Sequence, residues 1–220
     1  MTARHDNARP GPAGVVAIVR LGTAPPDDVC AALVDAGVPA LEVTLTTPGA
    51  EAAIARWREA GVAAAVGAGT VRTADDVRRA ARAGAQFLVT PTTSPAVLAT
   101  AAELDVPVLC GALTPTEIDA AWQLGAAAVK VFPADALGGA AYVKALQAPL
   151  PDIPLVPTGG VDARAARAYA ALGCRAVGVG SSLVSQAAVA AGDFDGLRAR
   201  AAELTAAWRT GAREHSGEAR

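Results

Sequence analysis

Eight short apolar runs rich in Val, Ile and Leu recur along this chain at a spacing of roughly 20 to 28 residues, each followed by an alanine-rich stretch of helical period. Alternation of that kind is a string of βα units. A strand can be joined to a parallel neighbour only through a crossover of a dozen or more residues, and the intervening helices supply it. Strands are predicted over residues 15–20, 40–44, 64–67, 87–90, 108–111, 127–132, 155–158 and 176–180. Helices fill the gaps, with Asp27, Asp75 and Asp162 in first turns, where a carboxylate suits the helix dipole, and Gly37, Gly61, Gly84, Gly125 and Gly173 after last turns. No break in composition divides the units, so the pattern predicts one α/β domain, a (β/α)8 barrel over residues 14–208. A doubly wound open sheet is the competing arrangement.

With 220 residues, of which 52% are hydrophobic and 18% charged, the chain can bury a sizeable core. A net charge of -2 and only 4% aromatic residues give no electrostatic or stacking case for a nucleic-acid or membrane-surface partner, so a small molecule is the expected partner. Cys30, Cys110 and Cys174 are odd in number, widely separated and without a CxxC pair, which predicts buried, inert thiols in a reducing compartment. The ends are polar. Residues 1–13 and 209–220 are predicted to be frayed or disordered tails, and no apolar stretch has the length of a signal peptide core or a bilayer span, so a cytoplasmic protein is expected. Both histidines, His5 and His215, fall in those ends. The body therefore has no imidazole for a Ser-His pair, a Cys-His pair or a His-ligated zinc.

In a (β/α)8 barrel, the segments at strand C-termini build the site, and here they are polar or glycine-rich while the opposite ends carry no reactive group. Lys130 stands out among them. It is one of two lysines among 19 basic residues, and it sits inside the apolar run Ala127-Ala-Val-Lys-Val-Phe-Pro133. A neutral amine can attack a carbonyl and form a Schiff base, which a guanidinium cannot. A strand-end lysine can also extend its head to water along an apolar wall. Strand alternation places Glu42 and Thr44 on one side of the second strand and Lys130 and Phe132 on one side of the sixth, so a carboxylate and an amine can share the barrel interior. Such a pair can be purely structural. Alternatively it is reactive: a free lysine, with a pKa near 10.4, is only about 0.04% neutral at pH 7, and burial raises that fraction while a charged carboxylate nearby opposes it. Two glycine-rich segments, Pro157-Thr-Gly-Gly-Val161 and Gly178-Val-Gly-Ser-Ser-Leu183, follow the seventh and eighth strands. That is where barrels of this kind bind phosphate, and the turn from Ser181 is expected to open a short helix pointing N–H groups at an anion.

Six segments in order, Leu41-Glu-Val-Thr-Leu45, Val66-Gly-Ala-Gly-Thr-Val71, Phe87-Leu-Val-Thr-Pro91, Leu113-Thr-Pro-Thr-Glu117, Val129-Lys-Val-Phe-Pro-Ala134 and Pro157-Thr-Gly-Gly-Val161, give the chain its resemblance to a known family. It resembles the class I aldolases acting on 2-keto-3-deoxy-6-phosphogluconate (KDPG) and 4-hydroxy-2-oxoglutarate (KHG), from about Val15 to Leu204. The resemblance implies Lys130 as the Schiff-base former, Glu42 as general acid and base, and Thr70 near the pyruvyl carboxylate, with Pro91 and Phe132 also at the substrate. It implies Gly159, Gly160, Gly180 and Ser181 around the phosphate of a keto-acid sugar phosphate, a homotrimer, and neither metal nor cofactor. Many members carry arginine where this chain has Thr46; the segment is closer to relatives acting on the galactonate epimer, in which an arginine ending the first strand, here Arg20, can serve the carboxylate. Thr46 and Arg20 are accordingly both candidates for substrate binding. Cys110 stands where proline is frequent, and Thr90 where serine is.

Overall fold

The computed structural model describes residues 10–217. Strands and helices alternate as β1 (Gly14–Val19), α1 (Asp27–Asp35), β2 (Ala40–Thr44), α2 (Ala50–Glu59), β3 (Ala65–Gly69), α3 (Ala74–Arg82), β4 (Leu88–Val89), α4 (Pro95–Glu103), β5 (Val108–Ala112), α5 (Pro115–Gln123), β6 (Ala128–Val131), α6 (Ala140–Gln147), β7 (Leu155–Pro157), α7 (Ala163–Ala171), β8 (Ala176–Val179), α8 (Gln186–Ala190) and α9 (Phe194–Ser216). All ladders are parallel, and each strand neighbours the next in sequence, with β8 returning to pair with β1. A single bridge between Thr158 and Gly178 draws β7 to β8. The fold is thus a (β/α)8 barrel, nearly closed, and the open-sheet alternative falls away.

Alternation along the strands sorts side chains into two layers. Leu41, Val43, Val129 and Val131 face the helices and are fully buried with them. Val16, Ala40, Phe87, Val89, Leu109, Ala128, Val156 and Ala176 turn inward and form a separate apolar floor inside the barrel. Phe87 is its largest member. A Cβ on Gly67 would lie 2.6 Å from that ring, so the glycine in β3 is what admits the phenyl group. The floor fills the lower barrel and leaves the upper layer to polar residues.

Helix ends follow the composition of their first turns. Thr73 with Asp76 and Thr114 with Glu117 form reciprocal capping boxes on α3 and α5, and Asp162 accepts from the Ala165 N–H at the start of α7. Asp27 does something else. It accepts from Arg56 at 3.0 Å and from the Trp57 indole at 2.8 Å, which ties α1 to α2 and holds its carboxyl below the usual range.

Both predicted tails need correction where they are described. Residues 1–9 and 218–220 lie outside the described residues. Residues 10–13 lie against the barrel rather than fraying, because Arg175 Nη2 donates to the Gly11 carbonyl at 2.5 Å and Gly11 is buried against Leu109. At the other end α9 runs on to Ser216. Its Gly211 faces α7 so closely that a Cβ would meet the Arg167 carbonyl at 2.1 Å, and Arg167 pairs with Glu214. The segment from Arg209 is polar because one face of a docked helix looks outward.

Candidate active site

Above the apolar floor, a cavity of about 560 Å³ opens where the strands end. Lys130, near the end of β6, projects into it. The residue is only 6% exposed, and its Nζ stands 5.2 Å from the centroid of the Phe132 ring, which forms a half-open wall of the same cavity. Its ladder neighbours are Gly111 and Val156. A side chain at position 111 would run into the backbone of Pro91, 2.4 Å from its carbonyl carbon, so β4 and β5 can close up beside the lysine only with glycine there.

Glu42 is enclosed deeper in the barrel, on β2, and is 1% exposed. Its Oε1 is buried with no hydrogen-bond partner among the described residues. Desolvation pushes the carboxyl pKa up, opposed by the positive charges of Lys130 and then Arg20. The space it occupies exists because position 69 is glycine: a Cβ there would come within 1.9 Å of Oε1. A carboxyl with a raised pKa near an amine can serve as proton donor as well as acceptor.

The rest of the cavity divides into two ends. At one, Arg20 lies on the rim and its Nη2 donates to Thr70 Oγ1 at 3.3 Å. Thr70 has a φ of 58°, a left-handed conformation that β-branched residues rarely adopt. Pro91 lines the wall nearby. At the other, Gly159 and Gly160 take positive φ of 106° and 58°, and together with Gly180 and Ser181 they complete the cavity. Ser182 Oγ donates to the Val161 carbonyl at 2.9 Å, joining the loops that follow β7 and β8. Ser181 begins a turn rather than a helix. The Leu183 and Val184 N–H groups both bond the Gly180 carbonyl at 2.9 Å, and α8 starts only at Gln186 after its Ser185 cap.

Of the residues singled out from sequence, Lys130, Arg20, Thr70, Pro91, Phe132, Gly159, Gly160, Gly180 and Ser181 share one cavity, with Glu42 enclosed beside it. Thr46 does not join them. It is exposed, away from the cavity wall, and its hydroxyl lies 3.1 Å from Thr44 Oγ1. Ile18, Thr158 and Ser182 also line the cavity and were not singled out. Ile18 was within reach of the alternation argument, two positions before Arg20 on the same side of β1.

A sequence profile of KDPG and KHG aldolases matches residues 12–199. The 2-dehydro-3-deoxy-phosphogluconate aldolase of Treponema pallidum is 38% identical over 189 residues, 84% of this chain and 87% of its own. The 2-dehydro-3-deoxy-6-phosphogalactonate aldolase of Escherichia coli is 38% identical over 174 residues, 77% of this chain and 83% of its own. The KDPG aldolase of Legionella pneumophila, solved with pyruvate captured as a covalent carbinolamine intermediate, superposes with a TM-score of 0.78 at 26% identity, covering 88% of this chain and 95% of that one. With the barrel, the cavity and these likenesses in agreement, the chain belongs to the KDPG and KHG aldolase family.

Proposed function

We propose that this chain is a class I aldolase that cleaves a 2-keto-3-deoxy-6-phospho sugar acid reversibly to pyruvate and glyceraldehyde 3-phosphate, with Lys130 as the nucleophile. The observation that carries the reading is an almost buried amine on the wall of the cavity beside an enclosed carboxyl of raised pKa. The amine adds to the C2 carbonyl, and loss of water from the carbinolamine gives a protonated imine. Deprotonation of the C4 hydroxyl then breaks the C3–C4 bond, the aldehyde leaves, and the bonding pair passes into an enamine. Protonation of C3 forms the methyl group, and water hydrolyses the imine to pyruvate and free lysine. Glu42 is the group that gives and takes these protons. Arg20 and Thr70 receive the carboxylate, while Gly159, Gly160, Gly180 and Ser181 receive the phosphate through neutral donors. A homotrimer belongs to the same reading, and equilibrium sedimentation is its check.

Pyruvate plus borohydride tests the chemistry, because a reduced imine stays on the protein and a free amine does not react. Label is expected at Lys130 by peptide mapping, and Lys130→Arg should leave the fold intact and abolish turnover, since the charge survives and the nucleophile does not. Label confined to Lys144 on α6, or none at all, would overturn the proposal. The galactonate epimer is the second reading. It is favoured by the cavity holding Arg20 and leaving Thr46 outside, and retro-aldol assays of both phosphorylated epimers decide between them.

A further inference from the structure

Arg20 is exposed at the cavity rim, so the direction of its guanidinium depends on how firmly the peptide beneath it is held. The two backbone groups flanking it, the Val19 carbonyl and the Leu21 N–H, bond the same buried hydroxyl. Thr47 Oγ1, in the loop after β2 and 2% exposed as a residue, donates to Val19 O at 3.4 Å and accepts from Leu21 N at 3.2 Å. Thr47 Oγ1 also lies 3.0 Å from Thr44 Oγ1, which lies 3.1 Å from Thr46 Oγ1, and either hydroxyl of each pair can be the donor. The three threonines form a chain of hydroxyl contacts that runs from exposed Thr46 to β1. Thr47 Oγ1 thus meets three partners, the Val19 carbonyl, the Leu21 N–H and Thr44 Oγ1.

We propose that Thr47 is a positioning residue that aims Arg20 at the substrate carboxylate, with Thr44 and Thr46 orienting its hydroxyl. This rests on the reading of Arg20 given above. Position 46 then contributes to carboxylate binding indirectly, through the residue next to it and the strand across from it. The following turn has a second anchor, because Gly22 N donates to Gln186 Oε1 at 2.7 Å. Loss of the Thr47 hydroxyl should thus loosen Arg20 without releasing the loop.

The test compares wild type, Thr47→Val, Thr47→Ser, Arg20→Ala and the Arg20→Ala/Thr47→Val double variant by borohydride trapping at limiting pyruvate. Thr47→Val, which deletes the hydroxyl and keeps the shape, is expected to need roughly 2- to 12-fold more pyruvate for half-maximal trapping, the equivalent of one neutral hydrogen bond. Thr47→Ser should behave as wild type. In the double variant the Thr47 penalty should vanish, because the group it positions is gone. If Arg20→Ala weakens trapping and Thr47→Val does not, or if their penalties add, Thr47 does not act through Arg20 and the proposal is overturned. If Arg20→Ala itself leaves pyruvate dependence unchanged, the reading of Arg20 fails and the proposal goes with it. Should Thr47→Val not fold, Thr46→Val carries the same comparison from the exposed end of the chain, with a smaller rise that must likewise disappear without Arg20.

Discussion

A carboxylate with one buried oxygen that has no hydrogen-bond partner among the described residues is an unusual thing for a folded protein to keep, and Glu42 should show it in two opposite measurements. Its carboxyl pKa is raised above the value of 4.5 that it has when exposed, so from about that pH upward the unfolded chain sheds a proton that the native state retains. Native stability therefore falls as pH climbs through the window between the two values, and the loss persists above it. Glu42→Gln removes the charge and keeps the shape. Its Tm should exceed wild type at pH 8, with the gap closing toward pH 4, while kcat drops roughly 10²-fold or more. A Tm below wild type at pH 8 would mean that attraction to Lys130 outweighs desolvation. Gly69→Ala probes the same group from the other side, since its methyl would take the position of Oε1. Activity should fall at least as far as in Glu42→Gln, and here Tm should fall too. Lys130 and Glu42 were legible in the sequence because period-two alternation fixes which way a strand residue points. The task of Gly69 was not, because an absent side chain has meaning only once the neighbouring strand is in place. Thr46 is a candidate through the family resemblance alone, because it stands where many relatives carry arginine; a loop residue has no period to say where its hydroxyl points, and here it lies 3.1 Å from Thr44 Oγ1.

At the scale of elements, the strands and most helix ends followed from local chemistry, and α9 shows where that reasoning stops. The segment beyond Arg209 has few apolar residues, so its sequence looks like a tail. What docks it is contact with α7: the absence of a side chain at Gly211, the Arg167–Glu214 pair, and His215 Nδ1 at 3.3 Å from the Ala171 carbonyl. None of these registers as hydrophobic periodicity. Gly211→Ala separates local propensity from packing. In an isolated helix alanine is favoured over glycine by about 1 kcal/mol. Here the added methyl would meet the Arg167 carbonyl at 2.1 Å and Ala170 Cβ at 2.9 Å, so the substitution should destabilise the protein by roughly 1–3 kcal/mol in urea unfolding. A gain in stability would show that the last turns of α9 are not docked as described.

Taken whole, the molecule keeps its reactive groups at one end of a barrel whose floor is apolar, and its net charge of -2 offers an anionic substrate no long-range attraction. Binding at that end must come from local groups. Among the described residues the cations of the cavity wall are Lys130 and Arg20, and the loops after β7 and β8 contribute Gly159, Gly160, Gly180, Ser181 and Ser182. Under the proposed function, two anionic ends of one substrate would be told apart by different chemistry, charge for the carboxylate and neutral dipoles for the phosphate. Gly180 is the place to test that division. A substitution at Gly160 would disturb the loop itself, because its φ is 58° and a Cβ would lie 2.5 Å from Asp135 Oδ2, whereas a Cβ at Gly180 meets nothing within 4 Å among the described residues. Gly180→Asp can therefore fit and set a negative charge against the phosphate. KM for a phosphorylated substrate should rise roughly 10-fold or more, equal to the loss of about 1.4 kcal/mol, while borohydride labelling of Lys130 by pyruvate alone stays near wild type. Equal losses for pyruvate and for the phosphorylated substrate would place the phosphate elsewhere in the cavity, and with it the orientation of the sugar acid along the barrel mouth.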